Sequence, residues 1–173
     1  MKSISSQPPI SEQGYRDALA AWASGICLVT AAVEEERAGL TVSSFCSVSL
    51  KPPTVLASIE RQGQTRQLIQ QSQSFAVNIL HSEERALAER FAGLRGEGDR
   101  FRGAVWYAGE RTGAPLLQGA LAALECRVLQ QHEVGEHTVW IGLVLAAELS
   151  SAKAVPLAYH QRQWGRFEAD ITE

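Results

Sequence analysis

The chain has 173 residues, 45% of them apolar, and a formal net charge of −3 at pH 7. That length suits one domain with a core large enough to enclose a cofactor, and the balance of charge supplies no broad positive surface for nucleic acid or an anionic membrane. Cys27, Cys46 and Cys126 are far apart, lack CxxC spacing and have apolar neighbours, which predicts reduced, buried thiols in a cytoplasmic protein.

Residues 1–10 are polar and include Pro8 and Pro9. They read as a flexible segment before a single domain over 11–173, with neither the apolar core of a signal peptide nor a bilayer span, so a cytoplasmic location is expected. A helix is predicted after Ser11, a suitable N-cap, with Tyr15, Leu19 and Trp22 forming a core-facing stripe and Gly25 at its end. Ile26 to Val33 is rich in branched apolar residues and runs into the charged EEER and Gly39, the pattern of a strand, a turn and a return strand.

The next segment, GLTVSSFCSVSLKPPTVLASI from Gly39 to Ile59, is the most informative stretch of the chain. It sets the hydroxyls of Thr41, Ser43, Ser44, Ser47 and Ser49 within what otherwise reads as buried strand, where each costs about 1–3 kcal/mol unless hydrogen-bonded. Either these hydroxyls satisfy nearby backbone or a polar ligand lies against them. Pro52 and Pro53 separate this strand from the next, Thr54 to Ile59.

A short helix is expected around Thr65 to Gln71 and a buried strand over Phe75 to Leu80. A helix over Glu83 to Phe91 carries acidic residues in its first turn, where the macrodipole favours them, and buries Leu87 and Phe91. Gly93 to Gly103 has the composition of a flexible loop, a candidate lid. Ala122, Leu124, Cys126 and Val128 alternate with more polar positions, and Val139 to Leu145 is apolar on both faces, so two strands are expected around a loop from Glu133 to His137. The sum is a mainly β chain: a mostly antiparallel sheet of six or more strands curled into a barrel, with short peripheral helices.

Familiar chemistries are missing. The sequence has no GxxxxGK[ST] loop, and Gly93, Gly96 and Gly98 lack the order and context of a dinucleotide-binding turn. His81, His132, His137 and His160 show no paired ligand spacing, so no metal site is expected. No GxSxG elbow marks a hydrolase nucleophile.

Several segments in order carry a resemblance over about residues 14–167: Tyr15 and Arg16 in the first helix, the serine-rich run, FAVNIL, RFAG with a later DRF, GAPLLQGALAALEC, GEHTVWIG and PLAYHQRQWGRF. The chain resembles the flavin reductase family, short NAD(P)H:flavin oxidoreductases that serve two-component monooxygenases. The resemblance implies an FMN-binding split barrel, usually a homodimer, that reduces FMN or FAD with NADH or NADPH and passes reduced flavin to a partner oxygenase.

By that resemblance, Thr41, Val42, Ser43 and Ser44 lie along the isoalloxazine ring, with main-chain groups as important as side chains. The strand end at Ser58 and Ile59 and the following loop cover the ribityl chain and phosphate. There Gln64 and Thr65 stand where the family often has Ser then Thr, and Thr65 is the expected phosphate contact, beside helix N-terminal amides suited to an anion. Phe91, Ala92, Arg100 and Phe101 match a pattern at the flavin and nicotinamide side. Arg100 either meets negative charge there or is an exposed loop arginine. His137 matches a histidine near the nicotinamide, with Glu136 where the family usually has aspartate. Tyr159 is either a pocket aromatic or a core or dimer residue.

The implied mechanism is hydride transfer from nicotinamide C4 to flavin N5 between stacked rings. The cofactors hold the reactive atoms and the protein sets their approach, which accounts for the lack of a conspicuous catalytic constellation. The alternative from another class is a non-catalytic FMN-binding protein or electron carrier on the same barrel.

Overall fold

The computed structural model describes residues 8–94, 98–151 and 155–167; residues 1–7 of the expected flexible segment and 95–97 of the expected loop lie outside them. Helix α1 (Glu12–Ala20) starts as predicted, with the Ser11 side chain accepting from the Gly14 N–H at 3.2 Å, which satisfies one of the free first-turn amides. It ends at Ala20, and Gly25 falls instead in the short strand β1 (Ser24–Gly25). The stripe does not face the core: Tyr15, Leu19 and Trp22 are 55%, 53% and 74% exposed. The helix is tied down by polar contacts, Arg162 to Asp17 at 2.6 Å and the Gln161 N–H to the Ala20 carbonyl at 2.8 Å, and these leave its apolar stripe outward.

Strands β2 (Cys27–Val33) and β3 (Glu36–Val42) form the expected hairpin. Strands β4 (Phe45–Leu50) and β5 (Pro53–Glu60) form a second, with the Lys51–Pro52 bond cis in the connection. Then come α2 (Gln64–Ser72) and β6 (Ser74–Ile79). The helix predicted from Glu83 is in two parts, a 3-10 turn over Ser82–Glu84 and α3 (Arg85–Phe91). Short strands β7 (Trp106–Ala108) and β8 (Pro115–Leu117) pair with each other. The long strands β9 (Ala122–Val134) and β10 (His137–Leu149) are joined by a tight turn rather than a loop, with Gly135 at φ +56° taking the left-handed position. Strand β11 (Leu157–His160) pairs with β1 on one side and with the last strand, β12 (Gln163–Arg166), on the other.

The main sheet runs β3-β2-β6-β9-β10-β5-β4, with every pairing antiparallel. In a flat sheet β3 and β5 would stand about 24 Å apart, five steps of about 4.8 Å. Yet Ala38 and Val42 of β3 share one core with Val55, Ala57 and Ile59 of β5, around Phe75 and Trp140. The sheet therefore curls until its two ends approach. Leu68 and Ile69 of α2 pack into the same core.

The run Ile26 to Ala31 lacks clean alternation because both faces of β2 are covered. Cys27, Val29 and Ala31 enter the first core. Ile26 and Leu28 enter a second one with Phe91, Phe101 and Leu157. One buried amide joins these layers: Asn78 Nδ2 donates to Thr30 Oγ1 and the Pro115 carbonyl, both at 3.3 Å, and its Oδ1 accepts from the Leu117 N–H at 2.8 Å.

The serine-rich strand β4 is not buried as its sequence predicts. It is an end strand of the sheet, with Cys46, Ser47 and Val48 exposed and Leu50 81% exposed. Cys46 is accordingly not a buried thiol, whereas Cys27 and Cys126 are, and burial pushes both of their thiols up to about 12. All three cysteines are free.

Candidate functional site

Two neighbouring clefts open where the β5–α2 connection meets β3 on one side and the β9–β10 turn on the other. The first, about 300 Å³, is walled by residues 37–40 of β3, the end of β5 at Ile59 and Glu60, residues 62–66, and residues 98–101. The second, about 580 Å³, lies between residues 60–62, Arg66 and the turn residues 135–137. Glu60, Gln62 and Arg66 line both, so the β5–α2 connection is a shared partition.

Strand pairing positions that partition. His137 stands opposite Glu60 in the β10–β5 ladder, and the Arg61 N–H donates to the Glu136 carbonyl at 2.8 Å. Glu133 then accepts ion pairs from Arg61 at 2.9 Å and Arg66 at 3.3 Å. Helix α2 begins at the first cleft with Gly63 as N-cap and no side-chain capping bond. Thr65 in its first turn is buried against the cleft, while Gln64 is exposed there.

The predicted residues divide into three groups. Ile59, Gln64, Thr65, Arg100 and Phe101 line the first cleft and His137 the second. Arg100 is not a free loop arginine: its Nη1 donates to the Gly39 carbonyl at 3.1 Å and the Phe91 carbonyl at 3.0 Å.

The second group, Thr41 and Val42 at the end of β3, Ser43 and Ser44 just after it, and Ser58 on β5 bonded to Ser44, lies outside both cleft linings. Val42 is buried in the core, Thr41 Oγ1 donates to the Ala88 carbonyl at 2.6 Å, Ser43 is exposed, and Ser44 Oγ donates to the Ser58 carbonyl at 2.6 Å. The hydroxyl protons at 41 and 44 thus satisfy backbone, and their oxygens keep lone pairs to accept with.

The third group is not brought to either cleft lining. Phe91 is a fully buried support, edge-on to Phe101 at 4.9 Å between ring centroids, and Ala92 is the exposed C-cap of α3. Tyr159 packs edge-on to Trp164 at 5.2 Å within the second core, so the core alternative describes its contacts.

Sequence reasoning missed Arg37, which reads as one charge among several at a hairpin turn. In the fold its guanidinium lies over the Trp106 ring at 4.9 Å and the Phe101 ring at 5.3 Å and lines the first cleft. No local signal marks it, because its partners come from more than sixty residues downstream.

The chemistry of this wall fits a phosphate-bearing flavin. The Nε atoms of Arg37 and Arg66 are buried without hydrogen-bond partners, and an uncapped helix start faces the same space. Together they supply donors and positive potential for an anion, beside apolar atoms of Leu40, Ile59 and Phe101.

Known proteins agree with this chemistry. The chain is 42% identical over 154 residues to the FMN reductase (NADH) RutF 2 of Methylorubrum extorquens, covering 88% of this chain and 89% of that protein. It is similar in structure to a nitrilotriacetate monooxygenase component B homolog from Mycobacterium thermoresistibile, with TM-score 0.87, 28% identity, and coverage of 94% of this chain and 89% of that one. The Streptomyces globisporus NADH:FAD oxidoreductase SgcE6, solved in complex with NAD and FAD fragments, aligns with TM-score 0.85 and 30% identity over 95% of this chain and 99% of that one. Because the flavin reductase like domain matches residues 19–168, nearly all of the curled sheet and both clefts, the chain belongs to that family.

Proposed function

We propose that the protein uses NADH to reduce FMN or FAD and supplies the reduced flavin to a partner monooxygenase. The observation that carries this is the pair of adjoining clefts, one lined by Arg37, Arg66 and a helix start, the other holding His137, in a chain of the flavin reductase family. A bound flavin supplies the acceptor, N5, for the hydride carried by the nicotinamide.

The protein's own residues bind, orient and exclude water. Thr65, Gln64 and the first-turn amides of α2 hold the phosphate, with Ser58 and Ile59 along the ribityl chain. The main chain and acceptor oxygens of Thr41, Val42, Ser43 and Ser44 meet the polar edge of the ring. Arg100, with Phe101 beside it, keeps β3 against the cleft through its bond to the Gly39 carbonyl. His137, on the far side of the partition, places the nicotinamide and donates or takes a proton at its ring nitrogen. Phe91 and Tyr159 act from behind the site as packing residues, and Ala92 ends the helix that carries Phe91.

The working unit is a homodimer of a single domain over residues 11–173, located in the cytoplasm. A second copy covers the apolar surface left open along α1 and the end strand β4, which a monomer keeps exposed at a cost in solubility. Among the described residues no helix is long and apolar enough to cross a membrane.

Mixing the purified protein with NADH and following the loss of NADH absorbance with and without FMN or FAD tests the activity. Flavin-dependent loss is expected. Tight FMN binding without it would instead identify a flavin-binding or electron-carrier protein.

A further inference from the structure

Arg37 is held in a way that leaves its hydrogen-bonding edge underused. Its guanidinium carbon lies 4.9 Å from the Trp106 ring centroid and 5.3 Å from that of Phe101. These two rings are themselves edge-on at 5.7 Å, so they form an aromatic seat that fixes the planar head without engaging its N–H groups. Of those groups, Nη2 is 3.5 Å from Asp99 Oδ2 and Nε is buried with no partner.

The Asp99 side chain is 55% exposed, and its other oxygen accepts from the Phe101 N–H at 3.0 Å. A long, half-exposed pair of this kind belongs to the weak class of ion pairs. The charged groups facing the cleft are Arg37, Arg66, Arg100, Glu60 and Asp99. Arg100 donates to neutral carbonyls and Arg66 to Glu133, so Asp99 is the carboxylate that competes for Arg37.

We propose that Arg37 is the exchangeable anion-reading residue of the first cleft. Its guanidinium leaves Asp99 for the phosphate of a nucleotide ligand seated between β3 and α2, and Asp99 sets the affinity by competing for it. A phosphate accepts from two guanidinium N–H groups together in a planar fork, which a single carboxylate oxygen at 3.5 Å does not match. The competing carboxylate holds ligand affinity below what the donors would otherwise give, which suits an enzyme that releases its product. The identity of the nucleotide, flavin or nicotinamide, rests on the flavin reductase reading; the phosphate chemistry is common to both.

Two variants of the full chain test this, each titrated with FMN and with riboflavin by flavin fluorescence and assayed for the KM of NADH. Asp99→Asn keeps an acceptor for the Phe101 N–H but removes the competing charge; it is expected to tighten FMN binding about threefold and leave riboflavin unchanged. Arg37→Gln removes the fork and is expected to weaken FMN binding about tenfold, with riboflavin again unchanged. If the KM of NADH moves in these directions while FMN binding does not, the phosphate read is that of the nicotinamide nucleotide and the proposal stands. If both variants leave FMN and NADH unaffected, or shift FMN and riboflavin by one common factor, Arg37 reads no phosphate and the proposal is overturned while flavin binding survives. A wild-type protein that binds neither flavin overturns the proposal together with the wider reading. Should Arg37→Gln not fold, the sign of the Asp99→Asn effect decides alone.

Discussion

Gly39→Ala is expected to destabilise the protein by forcing β3 away from the layer beneath it. A Cβ at Gly39 would lie 2.8 Å from Phe91 Cε1, 3.1 Å from Phe91 Cδ1 and 3.0 Å from Thr30 Cγ2. Ordinary carbon contacts begin near 3.4 Å, so the strand and ring must separate by about 0.6 Å. Neither neighbour yields easily: Phe91 is fully buried against Phe101, and Thr30 is fully buried with its hydroxyl donating to the Pro115 carbonyl at 2.6 Å. Overpacking of this kind costs about 1–3 kcal/mol, and a chain of this size loses about 2–4 °C in melting temperature per kcal/mol. Thermal and urea unfolding of the wild type, Gly39→Ala, Phe91→Leu and the double variant measure the effect. Leucine lacks the ring carbon that clashes, so the alanine penalty should fall by more than half in the Phe91→Leu background, a coupling of about 1 kcal/mol. An unchanged melting temperature for Gly39→Ala, or the same penalty in both backgrounds, would refute the steric account.

His137→Ala is expected to raise the KM of NADH or slow turnover by about tenfold or more while flavin affinity, read by fluorescence, stays nearly constant; equal turnover would show that the residue is misassigned. Glu84→Gln should stabilise the protein near neutral pH. Burial raises the Glu84 carboxyl above its ordinary value, against a smaller opposing pull from His81, and one of its oxygens is buried without a partner. The folded state therefore holds its proton more tightly, stability declines as pH rises through the shifted range, and the benefit of the amide should vanish below about pH 4; a benefit independent of pH would contradict this. At a dilution that favours the monomer, Cys46 on β4 should react first with a thiol reagent, since burial pushes the Cys27 and Cys126 thiols up to about 12. Cys46→Ser should abolish the fast phase, and its persistence would place the reactive thiol elsewhere.

What was legible in the sequence follows the range of the forces involved. Ser11 as a cap, the hairpin across Glu34 and Glu35, and the strands at Phe75 and Thr54 depend on neighbours a few residues away, and all appear in the structure. Burial of a face depends on what packs against it. Tyr15, Leu19 and Trp22 have helical spacing, and β4 reads as an inner strand, but the first sits outside the cores and the second ends the sheet. The site divides likewise. His137, Thr65 and Arg100 carry motif positions and do line the clefts. Arg37 acquires its setting only when Phe101 and Trp106 arrive from a distant segment.

Asn78 has a consequence for how the molecule opens. Its one amide serves Thr30 on β2 and both ends of β8 at once, in a layer without access to water. Peeling β7 and β8 from the curled sheet would strand several desolvated donors and acceptors together, so that flap has no inexpensive way to breathe on its own. It comes loose with the whole fold, which keeps motions around the clefts from spreading into this side of the molecule.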